Sequence, residues 1–190
     1  SQNTDGIIFK TGGTPSERLR IDSSGRVIIG ATSARVVGTN RQFTIEGTDS
    51  PTSSASIFRN SNNSAGAVLA LGKSRGTSDG SSTVLQSGDQ SGAIFFYGAD
   101  GTDAVSQVAS ISAEIDGTPG SNDMPGRIVF NTTADGSDQI TERLRIGSSG
   151  QIGLGGANYG TSGQVLTSNG SGSAVTWEDA SGGAGITTQA

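Results

Sequence analysis

The carboxylates have the widest chemical reach in this sequence. Glu114 and Asp116 are two residues apart on one expected strand, so their side chains share a face. Paired carboxyl groups roughly 5–9.5 Å apart are the machinery of glycoside hydrolysis. A solvent-side Glu and a turn-capping Asp explain the same residues with fewer demands, and nothing in the sequence marks a deep cleft around them. Asp100-Gly101-Thr102-Asp103 and Asp116-Gly117-Thr118 could offer oxygen ligands to Ca²⁺. They lack the ligand spacing of a twelve-residue calcium loop, and Asx turns account for them. Gly153-Leu154-Gly155-Gly156 has the glycines of a phosphate loop but neither the helix nor the Lys-Ser/Thr that must follow. The sequence therefore predicts no catalytic residue, no metal and no cofactor.

Ring chemistry is limited to stacking. Tyr97, Tyr159 and Trp177 could lie against sugar rings, although Trp177 is better read as the cover of a hairpin. Arg59-Asn60-Ser61-Asn62-Asn63-Ser64 suits glycan hydrogen bonding and an exposed turn equally. Tyr97, Tyr159, Asn60 and Asn62 are accordingly the ligand-contact candidates. The chain has no His and no Cys. Imidazole acid–base chemistry, thiol nucleophiles, disulfides and the usual zinc sites are thereby excluded. A net charge of −5 gives a nucleic-acid partner no electrostatic footprint. No apolar run reaches the roughly 20 residues that span a bilayer.

The elements that must carry these residues are short strands. Gly, Ser and Thr together supply 80 of the 190 residues, and only 31% are hydrophobic, against about 45–50% apolar residues in ordinary globular domains. Backbone ordering costs roughly 1–2 kcal/mol per residue, which one thick core cannot offset here. High net charge, the usual companion of disorder, is missing too. Helical periodicity is nearly absent. Strand-like runs recur instead at Gly6–Phe9, Arg18–Ile21, Arg26–Ile29, Gln42–Glu46, Ala67–Leu71, Thr83–Gln86, Ala93–Tyr97, Gln107–Ile115, Arg127–Asn131, Arg143–Ile146, Gln151–Leu154, Gln164–Thr167 and Ala174–Glu178. Gly-containing turn pairs separate them, and the sequence reads as all-β.

An internal repeat organises the chain. Glu17-Arg-Leu-Arg-Ile-Asp-Ser-Ser-Gly-Arg-Val-Ile-Ile-Gly30 returns 125 residues later as Glu142-Arg-Leu-Arg-Ile-Gly-Ser-Ser-Gly-Gln-Ile-Gly-Leu-Gly155. A lead strand precedes each copy, Gly6–Phe9 and Gly126–Phe130. Alternation turns Leu19 and Ile21 one way and Arg18 and Arg20 the other, and Val27 and Ile29 add a second branched pair. A lone two-stranded ribbon is marginal in water. Three copies wrapped about an axis would bury Leu19, Ile21, Val27 and Ile29, with Leu144, Ile146, Ile152 and Leu154 doing the same in the second copy. Arg18 or Arg20 could then reach Glu17 of a neighbour; an ordinary hairpin in one β-sandwich is the competing reading. Between the copies, Ala67–Leu71, Ala93–Tyr97, Gln107–Ile115 and Arg127–Phe130 are expected to form a sheet. Leu69, Leu71, Ile94, Phe96, Ala109, Ile111, Ala113 and Ile115 would point inward. Asn169-Gly170 marks a C-terminal hairpin.

The repeat, together with Gly163-Gln-Val-Leu-Thr-Ser-Asn-Gly-Ser-Gly-Ser-Ala-Val-Thr-Trp177, resembles tail-fibre and related virion proteins of tailed bacteriophages, of the cyanophage and marine-phage type. Asn63–Gly76, Gly92–Phe96 and Asp123–Phe130 are similar to the same set, and the likeness covers about two-thirds of the chain. The resemblance implies a homotrimeric fibrous virion component of host attachment, located in the virion tail and extracellular. It implies other tail proteins and a host surface glycan as partners, and it carries no catalytic motif. Many such fibres end in a self-cleaving intramolecular chaperone; any such domain is expected beyond Ala190 or already removed. The chain is expected to be a piece of a longer polypeptide.

The sequence thus predicts an elongated, intertwined all-β homotrimer. Its parts are an N-terminal shaft module (1–39), a central β-rich bulge (40–125), a second shaft module (126–160), and a C-terminal hairpin with a flexible tail (161–190). The function is structural and adhesive, with no enzyme activity, nucleic-acid binding or membrane insertion. The alternatives are a bacterial surface adhesin or extracellular fibre subunit, a glycan-depolymerising spike, and a monomeric carbohydrate-binding β-sandwich.

Overall fold

The computed structural model describes residues 6–14 and 16–180; the tail expected over 181–190 lies outside them. The described residues hold eleven strands, no α-helix and one 3₁₀ turn at Pro51–Ser53. The chain divides into two units, Ser1–Ala70 with Tyr97–Ser106, and Leu71–Phe96 with Gln107–Ala190.

The first unit carries a sheet ordered β1 (Ile7–Thr11), β2 (Ser16–Ile21), β3 (Val27–Ile29) and β4 (Phe43–Ile45). The first three run antiparallel, and β4 lies parallel to β3. At the β2–β3 turn the Gly25 N–H donates to Asp22 O at 2.9 Å, and Gly25 takes φ +76°, a conformation that costs glycine little. Its repeat counterpart behaves alike: the Gly150 N–H donates to Gly147 O at 2.9 Å, with φ +81°.

The second unit carries β5 (Gln90–Gly98), β6 (Ser106–Ile115), β7 (Gly126–Thr133), β8 (Ile140–Ile146) and β9 (Ile152–Leu154), ordered as numbered, with Tyr97, Gly98 and Ser106 of these strands falling in the first unit. A hairpin of β10 (Gln164–Thr167) and β11 (Thr176–Asp179) follows. Its turn is held by the Asn169 amide, which donates to Ala174 O at 2.9 Å and Thr176 Oγ1 at 2.8 Å.

The repeat is a structural unit down to its irregularity. Arg18 is the extra residue where β2 slips against β1 between Phe9 and Lys10. Arg143 is its equivalent where β8 slips against β7 between Phe130 and Asn131. Such a bulge inserts one unpaired residue and shifts the side-chain phase. Glu17 thereby comes round to Arg20 (2.8 Å) and Glu142 to Arg145 (2.6 Å). The contact expected between neighbouring chains is thus made within one chain, and Arg18 instead donates to Thr11 Oγ1 at 3.3 Å.

The apolar core is small. The buried apolar residues among those described are Ile28, Leu85, Ile115 and Val129. Of the residues expected to point inward from the middle segment, Ile115 is buried, while Leu69, Leu71, Ile94 and Phe96 are exposed. Ala67–Leu71 and Thr83–Gln86 form no strand at all. A strand needs a partner for its backbone groups, and these two runs are paired in neither sheet.

Candidate functional site: two uncovered apolar sheet faces

Strand register assembles the repeat residues into continuous stripes. In the first unit Ile7, Ile21, Val27 and Phe43 sit side by side across four strands, and Phe9, Leu19, Ile29 and Ile45 form the next row. In the second unit Ala113, Ile128, Ile146 and Ile152 form one row, and Ile111, Phe130, Leu144 and Leu154 the other. Period-two alternation puts all members of a pair of rows on one face of their sheet. Each sheet therefore has a face on which two adjacent rows are built wholly from apolar side chains.

Those rows are not covered, although Ile115, next along from Ala113 on the second face, is buried. Ile7, Phe9, Phe43, Ile128, Ile146 and Ile152 are exposed, and Leu19, Ile21, Val27, Ile29, Leu144 and Leu154 are half-buried. The opposite faces are covered at their centres, although Ile8 at the margin of the first is exposed. Ile28, in the row Ile8, Arg20, Ile28 and Thr44, is 0% exposed. Ser110, Ser112 and Val129 are buried on the polar side of the second sheet. There Asn158 O accepts from the Leu154 N–H at 3.0 Å, and the Tyr159 ring closes over Gly153, 3.0 Å from a Cβ built on it. The usual polarity of a folded chain, with polar faces outward and apolar faces inward, is inverted in both sheets.

All eight residues predicted to form a shared core lie on these two faces. Sequence reasoning missed Ile7, Phe9, Phe43, Ile45, Ile128 and Phe130, while Ile111 and Ala113, expected to point inward from the middle segment, join the second face. The lead strands showed the right alternation, but the face they join depends on register, which one strand does not reveal.

The carboxylates are committed to local contacts. Glu114 and Asp116 meet on Arg127, whose Nη2 lies 2.7 Å from Glu114 Oε2 and whose Nη1 lies 3.0 Å from Asp116 Oδ1. The backbone N–H of Ser148, with help from Arg127, holds Asp116 below the usual carboxylate range. The acid of a glycosidase pair needs the opposite shift. Asp100 accepts from the backbone of Thr102 (2.8 Å) and Asp103 (3.2 Å), an Asx turn. The first of these, with Ser106, keeps its carboxyl low. Asp89 accepts from Arg75 at 2.6 and 2.8 Å and lies 3.2 Å from Lys73 Nζ, so its carboxyl sits far below the usual range. Among the described residues no three His, Cys, Asp or Glu side chains stand together as a metal site.

The aromatic candidates pack within their own units. The Tyr97 ring lies 2.3 Å from a Cβ built on Gly38, with the Arg41 guanidinium 6.0 Å from its centroid. Tyr159 lies against Gly153 and Arg145. Trp177 packs over Gly160 and donates to Asn158 O at 3.2 Å. Asn60 and Asn62 are exposed. An open cleft of about 440 Å³ is lined by Arg35, Val36, Ala99 and Gly101–Ala104, and its one cation, Arg35, is paired with Glu46 at 2.7 Å.

These features define a class: all-β chains of open sheets whose apolar faces look outward, tail-fibre-like in fold. Two solved structures share that fold. The carboxy-terminal domain of the bacteriophage T5 L-shaped tail fibre aligns over 81% of this chain and 67% of its own, with a TM-score of 0.57 and 17% identity. The same domain with its intramolecular chaperone domain aligns over 90% of this chain, with a TM-score of 0.60 and 18% identity. This chain spans about half, 52%, of that longer one. No protein-family model matches the sequence, and no curated protein matches it.

Proposed function

We propose that this chain is a structural and adhesive segment of a phage tail fibre, working as a homotrimer in which three copies cover one another's apolar sheet faces. The observation that carries the reading is the inverted polarity of both sheets. An apolar face of eight side chains is not left in water when a second copy can bury it. Closed symmetry, with the same stripe on each copy meeting at an axis, buries these rows against one another.

In this reading residues 1–39 and 126–160 are shaft modules, 40–125 form a bulge between them, and 161–190 end in a hairpin. Leu19, Ile21, Val27 and Ile29, with Leu144, Ile146, Ile152 and Leu154, form the shared core. Receptor contact belongs to exposed amides such as Asn60 and Asn62, with the edges of Tyr97 and Tyr159 as lesser contributors. The receptor class is a host surface glycan, the other partners are neighbouring tail proteins, and the location is the extracellular virion tail. Light scattering of the purified protein tests the assembly. The expected mass is about 57 kDa, three times 19.0 kDa, and a stable 19.0 kDa species overturns the reading.

A further inference from the structure

Two features of the described residues stand out, a segment outside the sheets and a long outer strand. One is the segment from Ser54 to Lys73, every residue of which is exposed, with Phe58 at 83% and Val68 at 74%. Its run Ala67-Val68-Leu69-Ala70-Leu71 is apolar at consecutive positions, which in an extended chain gives two apolar faces. That is the pattern of a strand covered on both sides, yet it pairs with no strand in either sheet. The other is β5, which ends the five-stranded sheet on one side. It is nine residues long, carries no charge and no proline, and leaves Ile94 and Phe96 exposed. Edge strands of that kind pair with other chains unless a charge, a proline or a covering element prevents it. The remaining outer strands of the two sheets are shorter: β1 has five residues including Lys10, and β4 and β9 have three each.

We infer that residues 65–72 of one copy add as a further strand along β5 of a second copy of this chain. The inference rests on the self-association proposed above. Strand and edge match in length and in composition: neither carries a charge, so mutual burial strands none. Main-chain hydrogen bonds supply the pairing, and apolar side chains on both faces supply the contact area, as in strand addition generally. Each copy offers one such strand and one β5 edge, so a ring of copies satisfies every β5 edge when the rotation closes. Leu71 lies over the face of β5 at Gly92, its Cβ 2.8 Å from a Cβ built there, so the chain meets that sheet across its face and not along its edge.

The absence of cysteine makes the test clean. Leu69→Cys and Ile94→Cys are placed in one chain and treated with a short bismaleimide, which tolerates a register offset of a residue or two. The expected result on a denaturing gel is chains linked to one another up to the trimer, with peptide mapping joining residue 69 of one copy to residue 94 of the next. Either single variant alone gives no such species. A link within one chain, or no link in a protein that keeps its trimeric mass, overturns the inference alone. A monomeric wild-type mass overturns the self-association reading and this inference with it. Should the double variant fail to assemble, amide exchange on the wild-type trimer decides. Residues 65–70 are expected to exchange at least about tenfold more slowly than an unstructured peptide, and free exchange there overturns the inference.

Discussion

Truncating Ile146 to alanine separates a chain that stands alone from one that shares its core. Ile146 lies in the row with Ile128 and Ile152 and is 43% exposed. The change removes three carbon groups, each worth about 0.8 kcal/mol when buried. With little over half of the side chain covered, a solitary chain loses roughly 1.4 kcal/mol. If sister chains close over the face, the site becomes a core position, and truncation costs about 2–5 kcal/mol per chain. That amounts to about 6–15 kcal/mol for a trimer. Ile28, 0% exposed within its own chain, is the internal standard, because Ile28→Ala costs about 2–5 kcal/mol per chain on either account. Guanidinium unfolding of both variants at several protein concentrations supplies the comparison. The expected outcome is equal losses at the two sites and a midpoint that rises with concentration, as linked assembly requires. A concentration-independent midpoint, with Ile146→Ala costing half or less of Ile28→Ala, refutes the reasoning.

Other outcomes follow from local geometry. Gly153→Ala places a methyl group 2.4 Å from Gly156 O and 2.8 Å from Arg145 Cγ; it is expected to cost about 1–3 kcal/mol as overpacking. Gly172→Ala, with open space around it, is expected to stay within about 0.5 kcal/mol, and thermal melts compare the two. Arg127→Met leaves Glu114 and Asp116 facing each other without their shared cation. It is expected to lower the melting temperature at neutral pH, and adding Glu114→Gln is expected to recover part of the loss. Asp89 and Asp116 have carboxyl pKa values held below the unfolded value. Their contribution to stability is therefore full above about pH 4, where an unfolded aspartate is ionised, and fades as pH falls toward the lower folded values. Asp89→Asn is expected to destabilise at pH 7 and to converge with the wild type in acid, read from melting temperatures across pH.

Much of the fold was legible because its elements are local. The turn residues around Gly25 and Gly150 and the paired branched residues of each repeat announced β2, β3, β8 and β9. Asn169-Gly170 announced the last hairpin. What stayed hidden was long-range. The bulges at Arg18 and Arg143 reverse the phase between Glu17 and Arg20 and between Glu142 and Arg145, turning an expected contact between chains into one within a chain. Ile28 has the composition of a solvent-side alternate, yet it is the most buried residue in its sheet. Single-strand alternation sorts side chains into two faces but does not say which face is covered. The carboxylates were legible as turn caps at Asp100, whereas the bridging of Glu114 and Asp116 by Arg127 required the β6–β7 register. Ala67–Leu71 has the composition of a strand and pairs with neither sheet, because composition reports a tendency to pair and not where the partner lies.

The central claim is that the two apolar faces meet their own kind across a symmetry axis. An electron cryo-microscopy map of the purified assembly tests it most directly. The account predicts three chains about one axis, with the rows containing Ile21 and Ile146 turned inward against their counterparts and water excluded between them. A map of a single chain, or of an assembly in which those rows face solvent, contradicts it.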